Sequence, residues 1–220
     1  MNRKTVLAPF LASVFAATAA QATPALIAIG TLGGTTDLSG LTGTLETGLA
    51  GNILGGLGSG LAWAGGNTFI ATPDRGPNAT PYNAAVDDTT SYVARFQTLS
   101  LAVTAVSGGA LPYTLTPTLK GTTLLSSSTA LTYGSGTGLG LPNGAPPINT
   151  AIANYFTSRS DNFDASKTST NPNNGRLDPE AVRVSRDGKK AFLSLTNTRY
   201  SSPTISFQAR RAVTNFLCLR

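Results

Sequence analysis

Apolar residues in this chain fall in short runs, each closed by glycine, proline or a polar cluster, with no sustained helical period. Leu26-Ile27-Ala28-Ile29 is the first run and ends at Gly30; it reads as a strand buried on both faces. Residues 33–60 are rich in Gly, Thr and Leu and read as tight turns between short strands. Residues 60–71 predict strand, turn and strand, with Gly65-Gly66-Asn67 at the hairpin and Trp63 as a core side chain. Tyr92 to Leu101 alternates over its whole length and predicts a strand. Leu111 to Leu125 predicts one or two more, broken by Pro112 and Pro117. Residues 126–150 read as a surface excursion, and 158–175 as a polar loop. Val182-Arg183-Val184 and Ala191-Phe192-Leu193-Ser194 then flank Asp187-Gly188, a strong hairpin signal.

Composition supports the same class. Helix formers that would fill exposed helical faces are scarce, while β-branched residues and glycine turns abound. The fold expected is all-β. A strand, an Asp-Gly turn and a Phe-Leu-Ser strand resemble one arm of a propeller blade, which takes roughly 40–50 residues. Residues 23–198 would make about four such blades at most, so a partial propeller with long Gly/Ser/Pro-rich loops is expected.

The N-terminus changes the picture. Met1-Asn2-Arg3-Lys4 is a positive segment, Val6 to Ala19 is apolar, and Ala20-Gln21-Ala22 fits a cleavage site. Residues 1–22 read as a signal peptide, which implies a secreted or periplasmic bacterial protein with no stable membrane span after cleavage. The net charge of +6 then loses its meaning. Arg3 and Lys4 leave with the signal, and the tail 199–220 holds four arginines and no acid. Residues 23–198 carry equal numbers of basic and acidic residues, so no basic face argues for nucleic acid. Cys218 is the sole cysteine, and an internal disulfide is excluded.

The chain has no histidine. That excludes a Ser-His-Asp triad, a Cys-His pair and an H-E-x-x-H zinc site. G-x-S-x-G and Walker A are absent too, and Pro142 after the glycines of 136–140 argues against a phosphate-binding helix. Carboxylate chemistry survives. Asp178 and Glu180 stand two residues apart, and extended backbone points such a pair to one side. With Asp74 they form the candidate metal ligands, suited to a hard ion such as Ca²⁺, and Asp178 and Glu180 are also the candidate catalytic carboxylates. Arg75, Arg176 and Arg183 are the candidate oxyanion clamps. Each reading has a plainer rival: an Asx turn at Asp74-Arg75, and a surface turn starting at Asp178-Pro179. Asp161 and Asp164 read as a solvated loop.

These motifs resemble a known family. Phe69-Ile70-Ala71 with Pro73-Asp74-Arg75-Gly76-Pro77-Asn78, then Arg176-Leu177-Asp178-Pro179-Glu180, then Phe192-Leu193-Ser194, are similar to the phytase-like family of secreted bacterial proteins, labelled "esterase-like activity of phytase". The resemblance runs from about Leu26 to Ser194. It implies a β-propeller and a metal-assisted hydrolase acting on a small phosphoester or ester substrate, with Arg75, Asn78, Arg176 and Arg183 toward the substrate. Ala181 stands where the family has glycine, and the family's D-E-Y-G-P segment does not follow Ser194. If Leu195 to Thr198 were encoded CTG-ACG-AAT-ACG, a reading two nucleotides on would give Asp-Glu-Tyr and open a glycine codon. On that hypothesis the tail 199–220 is a non-family, out-of-frame segment behind a truncated domain of residues 23–198, and the truncation would compromise activity; the rival is a genuine short variant. The rival function is a non-catalytic secreted β-rich protein that binds a glycan or a partner surface.

Overall fold

The structure is a computed structural model that describes residues 24–45, 47–77, 90–131, 133, 145–158 and 175–195, with the backbone of 206–207 and 215–218. Among these residues there are strands and turns and no helix. The strands are β1 (Leu57–Gly65), β2 (Thr68–Pro73), β3 (Arg95–Ala105), β4 (Tyr113–Leu124), β5 (Ser126–Ser127), β6 (Asn154–Tyr155), β7 (Pro179–Val184), β8 (Lys190–Leu195), β9 (Ser206–Phe207) and β10 (Asn215–Cys218). The all-β expectation therefore holds at the level of class.

β1 to β4 form an antiparallel meander in chain order. The β1–β2 turn is the expected glycine pair: Gly65 and Gly66 adopt φ of 110° and 53°, which side-chain-bearing residues rarely do. β4 is one twelve-residue strand and is not broken at Pro117. It lies at the sheet edge, where a residue lacking an N–H is tolerated. The second sheet runs β7-β8-β10-β9. β7 and β8 are the expected hairpin, turned at Gly188 with φ of 69°. β10 pairs parallel with β8, so two short strands of the segment 199–220 complete this sheet. Neither sheet closes on itself.

One core joins the two sheets. Ala62, Ile70 and Phe96 of the first meet Val182, Ala191 and Leu193 of the second, with Leu125, Phe156 and Leu177 between. The intervening segments are stitched by backbone hydrogen bonds: Phe156 donates to Leu125, Leu125 to Ala94, and Ala94 back to Phe156. Leu177 donates to Thr157, which fixes the run leading into Asp178. Two expectations fail here. Leu26, Ile27 and Ile29 are exposed and form no strand; the segment lies along β4, where the Tyr113 N–H donates to the Ile27 carbonyl at 3.2 Å. Trp63 is 64% exposed because alternation along β1 turns Ala62 inward and its neighbour outward.

A buried ion pair ties the turn-rich segment to the first sheet. The Arg95 guanidinium donates to the Asp37 carboxylate, both side chains fully buried. Gln97 Nε2 donates to the same carboxylate at 3.2 Å, and the Ser39 N–H donates to its other oxygen at 2.8 Å. Arg95 Nε donates to the Val93 carbonyl, and the guanidinium lies 3.8 Å from the centre of the Tyr92 ring.

Candidate metal centre

The site forms where the C-terminal end of β2 meets the start of β7. Asp74 follows β2 directly, and its N–H donates to the Gly56 carbonyl at 3.2 Å. Its carboxylate accepts the Arg75 N–H at 2.7 Å, which is the local turn bond that Asp favours. Asp178 immediately precedes β7, and Glu180 is the second residue of the strand. One ligand oxygen from each of Asp74, Asp178 and Glu180 lies within 4.8 Å of the others. Residues a hundred positions apart are thus brought together, and Asp178 and Glu180 both reach the cluster across a register shift of the β7–β8 ladder between Pro179 and Ala181.

Gly60 makes this approach possible. It pairs with Thr72 across the β1–β2 ladder, and its bare Cα faces β7. A Cβ there would sit 2.6 Å from the Val182 nitrogen and 2.7 Å from Thr72 Cγ2. Gly76 has a parallel role in the next turn. Its φ is 84°, and a Cβ would fall 2.4 Å from the Tyr92 ring, so the Asp74-Arg75-Gly76 turn rests on that ring. Tyr92 is itself held by donating its hydroxyl to the Ile53 carbonyl at 3.2 Å. Burial pushes the Tyr92 phenol up to about 12, against the lowering effect of Arg95.

The electrostatics centre on Asp178. Burial raises its pKa first, a hydrogen bond shared with Asp74 raises it further, and Arg176 pulls it back; the charges of Asp74 and Glu180 add to the rise, which reaches about 6. Arg176 is buried, with its guanidinium 3.9 Å from Asp178. It therefore sits in the wall of the cluster, while Arg75 is half-buried beside Asp74. Among the described residues the other oxygen, Asp178 Oδ1, is buried and has no hydrogen-bond partner.

Arg183 is exposed, and its guanidinium donates to the Val182 carbonyl of its own strand at 2.9 Å. Asn78, Asp161 and Asp164 lie outside the described residues. Three residues that shape the site were not singled out by motif: Gly60, Tyr92 and Thr72, which is fully buried between the strands. A glycine inside a strand, next to the apolar run Leu61-Ala62-Trp63-Ala64, was the available signal for close backbone approach. Among the described residues no helix is long and apolar enough to cross a membrane. Comparison with protein-family models, with curated proteins and with solved structures gives no match to this chain.

Proposed function

We propose that this protein is a secreted or periplasmic hydrolase of small phosphoesters or esters, built on a carboxylate-held divalent cation, with Ca²⁺ as the ion. The observation that carries the reading is the meeting of Asp74, Asp178 and Glu180 around one point, with Asp178 Oδ1 buried and unpartnered. A buried acceptor left without a donor costs about 1–3 kcal/mol. A cation would satisfy it and would offset the mutual repulsion of three carboxylates. Hard oxygen donors in a flexible shell suit Ca²⁺. The motifs that resemble those of the phytase-like family fall on these same residues, and a propeller blade is likewise built from four strands, the number in the antiparallel meander β1–β4.

Asp74, Asp178 and Glu180 would hold the ion. When bound, it would polarise the substrate oxygen and lower the pKa of a coordinated water. Arg75 would bind the substrate anion from the β2 side. Arg176 would hold Asp178 ionised and oriented. The experiment is hydrolysis of phytate and p-nitrophenyl esters, with Ca²⁺ or with chelator, by the chain and by its Asp178→Asn/Glu180→Gln variant. The expected outcome is Ca²⁺-dependent turnover that the double variant loses. Turnover indifferent to both chelator and variant overturns the reading.

A further inference from the structure

A second concavity lies away from the carboxylates, between the turn-rich segment, the end of β4, and the β5–β6 pair. Its volume is about 620 Å³, within the range of roughly 300–1,000 Å³ typical of small-molecule sites. Its chemistry is unusual in one respect: among the described residues no charged side chain lines it. Alternation along the chain turns Thr122, Ser126 and Ser128 to the side opposite the buried Leu125 and Ser127. Tyr155 pairs with Ser126 across the β5–β6 ladder and so shares its face.

The hydroxyls divide into two kinds. Thr122 Oγ1 is committed: it donates to Gln97 Oε1 at 2.6 Å and accepts the Leu38 N–H at 2.9 Å. The hydroxyls of Ser126, Ser128 and Tyr155 have no hydrogen-bond partner among the described residues. Two aliphatic side chains stand at the rim, Leu38 at 60% and Ile152 at 81% exposure. Both rims are fixed from behind. Leu38 is held by Thr122, and Ile152 sits in a turn where its N–H and that of Ala153 point to Thr150 Oγ1, at 3.4 and 3.1 Å.

We infer that this cleft binds a neutral sugar ring. A pyranose presents hydroxyls on its edge and C–H groups on its faces. The three uncommitted hydroxyls match the edge, and the aliphatic rim with the Tyr155 ring matches the faces. An anion would find no cation among the described lining residues, and a wholly apolar ligand would leave the hydroxyls desolvated and unpaired. Because the walls are already held, little ordering cost opposes binding. The inference stands on this cleft alone and does not rest on the carboxylate site.

The test is an amide NMR titration of the full chain with methyl α-glucopyranoside, methyl β-galactopyranoside and maltose, and separately with inorganic phosphate. Expected are saturable shifts in the amides of 122–128 and 152–155 for at least one sugar, with Kd on the order of 1 mM. Ser126→Ala and Tyr155→Phe should each weaken that binding roughly five- to tenfold. Ile152→Gln, at a position too exposed to threaten folding, should weaken it as well. Asp178→Asn should leave it unchanged, which separates this site from the hydrolytic one. No saturable shift with any sugar, equal affinity in Ser126→Ala and Ile152→Gln, or saturation of the same amides by phosphate overturns the inference.

Discussion

Asp178 carries opposed demands. Burial and two neighbouring carboxylates favour its neutral form, while Arg176 favours the ionised form. The sign of the resulting pH dependence follows directly. An acid whose folded pKa is raised binds its proton more tightly in the folded protein than in the unfolded chain. The metal-free protein should therefore gain stability as pH falls from about 6 toward the unfolded value of 3.8, and lose it as pH rises through that window. Asp178→Asn should flatten this slope and raise the metal-free melting temperature near neutral pH. Calcium should act in the opposite sense. It should raise the melting temperature near neutral pH, less so below the window, where protons compete for the same oxygens. The variant should show no calcium shift. Thermal denaturation with and without chelator, on either side of the window, checks all three.

The strands bring these carboxylates together only because two glycines leave room. Gly60→Val would drive a branched side chain into the backbone of β7 and into Thr72, both of which are held by their own ladders. The sheets would have to part, separating Asp74 from Asp178 and Glu180. Overpacking of this kind costs typically about 1–3 kcal/mol, and calcium binding should fall further than stability does. Gly76→Ala combines the left-handed backbone with the collision against Tyr92, so a similar loss is expected there. Denaturation midpoints beside calorimetric titration with calcium separate the two effects. These strands also show what was legible beforehand. Turn chemistry announced the hairpins at Gly65-Gly66 and Asp187-Gly188, because positive φ is a local demand that glycine meets alone. The carboxylates at 178 and 180 stood out by their local spacing, and both reach the cluster, although the register shift between Pro179 and Ala181 was not legible. Trp63 was not. Its position in an apolar strand suggested the core, yet which face of a sheet is buried depends on what packs against it, and that partner lies over a hundred residues away in β7 and β8. Arg95 was equally hidden, because a charged residue in an alternating strand looks solvent-facing until Asp37, from a segment of turns, is known to cover it.

The two sheets share one apolar core, and this unity decides how the molecule should fail. Phe156 lies at its centre, with no exposed surface, in a segment that belongs to neither four-stranded sheet. It packs with residues of both, and its backbone is bonded to Leu125 and Ala94. Were the sheets independent units, trimming Phe156 would loosen one and spare the other. A shared core predicts a single cooperative transition, displaced as a whole. Phe156→Ala should cost about 3–5 kcal/mol, the range for deleting a buried aromatic side chain. Chemical denaturation followed by tryptophan fluorescence reports on Trp63 in β1, and far-ultraviolet circular dichroism reports on all strands together. Coincident curves with a common lowered midpoint are expected. Curves that separate, with the Trp63 signal unmoved, would mean that the first sheet stands without the second. Asp74 and Asp178, one on each side of that boundary, would then have no fixed distance between them, and no cation could be held there in the folded state.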